Sequence, residues 1–98
     1  MSGTVKYEMM IVLTEEFNES ELKTWAFNYA KALQYLSASE ISVISRGKRD
    51  LAYLINNQKK GNFIQLNFSS VPKYLEKFIY DLKLDTNVLR FLILNKSI

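Results

Sequence analysis

Apolar residues in this chain recur at two different periods, and the order in which those periods alternate leaves few folds open. Over Val5–Thr14 they fall at every second position, with Tyr7, Met9, Ile11 and Leu13 on one face and Lys6, Glu8, Met10 and Val12 on the other. From about residue 18 to 37 the spacing changes to three and four. Leu22, Trp25, Ala26, Tyr29, Ala30, Leu33 and Leu36 then form one helical stripe, and Asn18 and Glu21 stand at capping-box spacing at its start. The period of two returns over residues 40–46 and 51–55, a strand expected to bulge or bend at Gly47. Residues 56–61 read as a polar hairpin loop, and residues 62–68 alternate again. Pro72 opens a second stripe of Leu75, Phe78, Ile79 and Leu82. Asp85, Thr86 and Asn87 turn the chain into a last alternating segment, Val88–Asn95.

Strand, helix, strand, strand, helix, strand, joined by two right-handed crossovers, specifies an α+β fold of the ferredoxin-like βαββαβ type. Its four-stranded antiparallel sheet should carry both helices on one face and place the first and third strands in the centre. At 98 residues and 48% hydrophobic, residues 1–98 are expected to form one domain around a single small core. The other sheet face is left open. On it the pattern places Met10, Val12, Phe63, Gln65, Leu92 and Leu94 among Lys6, Glu8, Asn67 and Arg90. A patch this apolar exceeds what a soluble monomer normally leaves bare, so it is read as a partner-protein face.

Chemistry is heavily restricted. The sequence holds no histidine and no cysteine, which removes disulfides, thiolate metal sites and the proton shuttle that works at neutral pH. The acidic pairs Glu15–Glu16 and Glu19–Glu21 sit where a helix begins and complement its dipole. No catalytic residues, metal, cofactor or small-molecule substrate are expected. An acylphosphatase-like enzyme on the same topology would need an arginine in a phosphate-cradling loop after the first strand, where the chain instead reads Thr14-Glu15-Glu16-Phe17. No apolar run is long enough to span a bilayer, and the amino end has neither a signal-peptide core nor a transit segment.

What remains is binding. Arg46, Lys48 and Arg49 crowd Gly47 beside a strand, an arrangement suited to a phosphate backbone. Lys6, Lys59, Lys60 and Arg90 are further candidates for RNA contact. The net charge of +3 and pI near 9.2 are mild for an autonomous nucleic-acid binder, which implies few phosphate contacts or a more basic companion. The stacking motif of the commonest RNA-binding module on this topology is absent, because Lys60-Gly61-Asn62-Phe63-Ile64 puts asparagine where the first aromatic belongs. A homo-oligomeric or ligand-sensing ferredoxin-like module is the alternative.

Taken together these segments resemble ribosomal protein six of the bacterial-type small subunit. The matching pieces are Lys6-Tyr7-Glu8, Ile11-Val12-Leu13, the run from Arg46 to Ile55, Gly61, Pro72, and the stretch from Asp85 to Arg90. The resemblance implies a structural component of the small subunit. It would bind 16S-type ribosomal RNA together with ribosomal protein eighteen, a basic companion that supplies charge while covering apolar surface. Two positions depart from the family pattern. Leu54 stands where proline usually follows Leu-Ala-Tyr, and Lys48 and Asp50 dilute the arginines of the bend. Lysines outnumber arginines ten to three and asparagine is plentiful, as an AT-rich genome produces. With no transit segment in view, the expected location is a plastid (chloroplast) ribosome with the chain encoded in the plastid; a bacterial cytoplasm is the alternative.

Overall fold

The computed structural model describes residues 3–97; Met1 and Ser2, which belong to the amino-end reading above, and Ile98 lie outside the described residues. Strand β1 (Val5–Thr14) leads to helix α1 (Glu19–Tyr35). The chain continues through β2 (Ser39–Ile55), β3 (Gln58–Ser70), α2 (Pro72–Leu84) and β4 (Val88–Asn95). The strands form one antiparallel sheet in the order β2-β3-β1-β4, with the first and third strands central as the pattern required.

The core lies between the sheet and the helices. Tyr7, Met9, Ile11 and Leu13 of β1 join Ile64, Leu66 and Phe68 of β3 on the helix-facing side. Trp25 and Leu33 of α1 and Leu75, Phe78 and Leu82 of α2 close over them. Both helices start where the sequence sets them. Asn18 accepts from the Glu21 amide at 2.8 Å while the Glu21 carboxylate accepts from the Asn18 amide at 2.9 Å, completing the capping box. Pro72 occupies the first turn of α2, where its missing N–H is not needed.

Asp85 ties the helical layer to the turn before β4. One carboxylate oxygen accepts from Trp25 Nε1 at 2.9 Å and from the Tyr29 hydroxyl at 2.8 Å, and the other accepts from the Asn87 amide at 2.9 Å. Burial acts to raise the Asp85 pKa, but the hydrogen bonds donated by the Asn87 backbone, Tyr29 and Trp25 outweigh it and hold the carboxyl below its ordinary value. The Tyr29 hydroxyl is pushed the other way, first by burial and then by its bond to Asp85.

The β2–β3 hairpin corrects two sequence-based expectations. β2 is one strand of 17 residues instead of two pieces; the pairing slips between Ser45 and Gly47, and Gly47 sits at φ 87°. Arg46 is therefore the extra residue of a bulge, where a positive φ makes glycine the economical neighbour. The loop is also shorter than expected. Ile55 already faces Gln58, so Asn56 and Asn57 alone make the turn, both at positive φ (50° and 64°) as a twist-compatible two-residue hairpin demands. Lys59, Lys60 and Gly61 belong to β3, not to a loop. Gly61 faces Thr14, the last residue of β1, so the tip of the β2–β3 hairpin projects beyond the rest of the sheet and the molecule extends over 45 × 26 × 22 Å.

Candidate nucleic-acid interface

The open sheet face is built from cross-strand rows. One runs Gly47, Phe63, Val12, Arg90 across β2, β3, β1 and β4; the next runs Ile44, Gln65, Met10, Leu92; a third runs Ser42, Asn67, Glu8, Leu94. Each row spans three ladders, about 14 Å at ordinary strand spacing.

The bulge brings Arg46 and Arg49 to this face. Arg46 donates from Nε (3.0 Å) and Nη2 to Oε1 of Gln65, a residue of central strand β3 that is only 7% exposed. Gln65 donates in turn to Asn67, and Asn67 to Ser42. A guanidinium held by a satisfied amide relay loses less freedom on binding than one waving in solvent. Arg49 donates from Nε to the Arg46 carbonyl at 3.1 Å and lies over the Phe63 ring, 5.9 Å from its centroid. Lys48 is exposed but pairs with Asn62, so alternation turns it to the opposite side of the hairpin from Gly47 and Arg49.

Arg90, expected among the RNA contacts, enters the same row from the opposite edge. It donates to the Tyr53 hydroxyl and packs over that ring at 5.4 Å. The contact exists because β2 loses register with β3 between Asp50 and Ile55 and curls over the sheet. Leu51, Ala52, Tyr53 and Ile55 line a cavity of about 180 Å³ with Val12, Phe63 and Arg90. Tyr53 and Leu51 were not among the candidates read from the sequence. Alternation identified their segment as a strand, but the break in register that carries them over the sheet has no period of its own.

The other cations are dispersed. Lys60 faces Asp50 in register with a loose, exposed pair at 3.9 Å, and Lys59 is exposed on the neighbouring position. Lys6 lies six residues from Val12 along β1, about 20 Å at the strand rise. There the two ends of the chain meet, Lys6 bonding Lys96 and Ser97 through its backbone. Arg46, Lys48, Arg49 and Arg90 thus occupy one level of the sheet, Lys59 and Lys60 the hairpin arm, and Lys6 the far end.

The expected partner face divides in the same way. Leu92 and Leu94 are well exposed (60% and 44%), and Met10 and Phe63 are half-buried. Val12 (5%) and Gln65 are buried, a correction to their reading as open surface, because the curled end of β2 covers the first and the Arg46 guanidinium the second. Among the described residues no group of three carboxylates could hold a metal ion, and no helix is long and apolar enough to cross a membrane.

Comparison with known proteins decides what class of molecule carries this face. The family model for ribosomal protein S6 matches residues 6–95. The chain belongs to the ribosomal protein S6 family. It is 81% identical over 96 residues to the small ribosomal subunit protein bS6c of Trieres chinensis, covering 98% of this chain and all of that one. Over 93 residues it is 66% identical to bS6c of Phaeodactylum tricornutum, 95% of each chain. Similarity to bS6 of Picosynechococcus sp. is 35% over 86 residues, 88% of this chain and 75% of the relative. The crystal structure of 30S ribosomal protein S6 from Thermotoga maritima superposes with a TM-score of 0.87 at 18% identity, over 95% of this chain and 88% of that one, and shares the fold. As a member of the S6 family the chain is a protein of the small ribosomal subunit, structural and not enzymatic.

Proposed function

We propose that this S6-family chain binds small-subunit ribosomal RNA through the bulge of β2 while its open sheet face docks ribosomal protein eighteen, in a plastid ribosome. The observation that carries the reading is the pair Arg46 and Arg49. Gln65 clamps the first, and the second reaches back to the Arg46 carbonyl, which sets two guanidinium groups in place on a rigid sheet. Phosphate oxygens suit such groups, and contacts of this kind position a protein on RNA without reading its sequence. Lys48 and Arg90 extend the cationic band, with Lys59, Lys60 and Lys6 as outlying contacts. Met10, Phe63, Leu92 and Leu94 supply the apolar part of the partner contact, with Val12 and Gln65 as its buried floor. The plastid assignment is supported by the bS6c names of the two relatives above and by the lysine-rich composition.

Arg46→Ala combined with Arg49→Ala should weaken association with small-subunit RNA by about tenfold or more at fixed salt, with the fold intact by circular dichroism. The measurement is a filter-binding titration with ribosomal protein eighteen present. Unchanged affinity removes the RNA assignment. One feature favours a second reading: β4 ends the sheet with Leu92 and Leu94 exposed, a surface that could meet a second copy. A stable homodimer in sedimentation with no affinity for ribosomal RNA would select that alternative.

A further inference from the structure

The helical side of the molecule carries a surface that neither the core nor the sheet face explains. On α1 the residues Lys23, Phe27, Lys31 and Tyr35 follow one another at intervals of four, all on the side turned from the core. Phe27 is 61% exposed and Tyr35 91%. At 1.5 Å rise per residue the neighbours along this ridge stand about 6 Å apart. α2 repeats the chemistry with Lys73, Lys77 and Tyr80, followed by Leu84; Tyr80 and Leu84 are 59% and 63% exposed.

In each helix a lysine ammonium sits over an exposed ring. Lys31 lies 5.4 Å from the Phe27 centroid and Lys77 5.9 Å from that of Tyr80, and Lys73 pairs likewise with Tyr74 at 5.2 Å. On α1 the carboxylate in line with the ridge is Glu19, in the first turn ahead of Lys23, and from Lys23 to Tyr35 the helix carries none. On α2 Glu76 stands one turn before Tyr80, and Asp81 pairs with Lys77 at 2.7 Å. Folding does not require these rings to be bare, because helical stability needs one apolar face and both helices already bury theirs.

Rings alternating with cations, at helical spacing on two helices, suit a strand whose flat apolar groups alternate with negative charges. We infer that this helical face is a second nucleic-acid contact, distinct from the β2 bulge. It takes single-stranded RNA, with bases stacking on Phe27, Tyr35 and Tyr80 and phosphates meeting Lys23, Lys31, Lys73 and Lys77. A protein partner would not need lysine beside every ring. Stacking of this kind is tolerant of sequence, because every base presents a flat face to a ring.

The test is fluorescence anisotropy of the full chain with labelled twelve-nucleotide oligouridylate and oligoadenylate as probes. Phe27→Ala with Tyr35→Ala and Tyr80→Ala should weaken binding to both by about fivefold or more for each ring that is engaged. Changing the four lysines to glutamine should lower the slope of log affinity against log salt by roughly 0.7 for each phosphate no longer neutralised. These side chains are exposed, so circular dichroism should be unchanged and separates weakened binding from unfolding. Arg46→Ala with Arg49→Ala, run in parallel, reports on the sheet face separately. Wild-type affinity in the ring variant overturns the inference. So does binding that moves to vesicles of anionic phosphatidylglycerol while both oligonucleotides are ignored.

Discussion

Asp85 shows how much a single side chain can organise. It answers two donors from α1 and one from its own turn, so Asp85→Ala leaves the Trp25 indole N–H and the Tyr29 hydroxyl without a buried acceptor. A loss of about 1–3 kcal/mol is expected in urea denaturation followed by Trp25 fluorescence. The pH dependence has a fixed sign. Because the folded-state pKa is depressed, the stabilisation is fully present above the unfolded value, near 4, and is lost as pH falls through the folded value. The stability gap between wild type and Asp85→Asn should therefore narrow as pH is lowered below about 4, and a gap that widens would contradict the assignment. Gly61 illustrates the opposite constraint, space. A Cβ added there would lie 2.4 Å from Cγ1 of Val12 and 3.2 Å from the Leu13 carbonyl oxygen. Gly61→Ala should cost about 1–3 kcal/mol, and Val12→Ala in the same chain should return part of it, which thermal melts of the two variants can check.

At the scale of elements, the capping box and the bulge make separable contributions. Asn18→Ala removes one side of a reciprocal pair and should destabilise by about 1 kcal/mol without altering the sheet face. Gly47→Ala meets no atom within 4 Å, so its cost comes from the positive φ alone, again about 1 kcal/mol, and its distinctive effect is on where Arg46 and Arg49 point. A fall in RNA affinity larger than the fall in stability would mark the bulge as a positioning device. The elements were largely legible in the sequence because two periods and two capping signals dictate them locally. The hairpin was less so: a lysine-rich stretch looks like a loop, and only pairing across to β2 makes Lys59 and Lys60 strand residues. Leu54 lies in the stretch between Asp50 and Ile55 where β2 and β3 lose register.

For the molecule as a whole, composition pointed away from an enzyme, as membership of the S6 family bears out, but did not show how the cations are distributed. Sequence spacing brought Arg46, Lys48 and Arg49 together because they are neighbours. It gave no sign that Arg90, from the last strand, would share their level, since that depends on the register in which β4 pairs with β1. Lys6, grouped with them by charge alone, ends up at the other end of β1. Val12 and Gln65 had the right parity for the open face and the wrong exposure, because alternation fixes direction and not what folds over it. Central strand β1 draws one neighbour from the middle of the chain and the other from its final residues. A growing polypeptide therefore holds its first strand half-paired, with one row of backbone donors and acceptors unanswered, until Asn95 has been synthesised. That pairing joins segments some eighty residues apart, so it is the contact of greatest sequence separation in the sheet and the one expected to form late in folding.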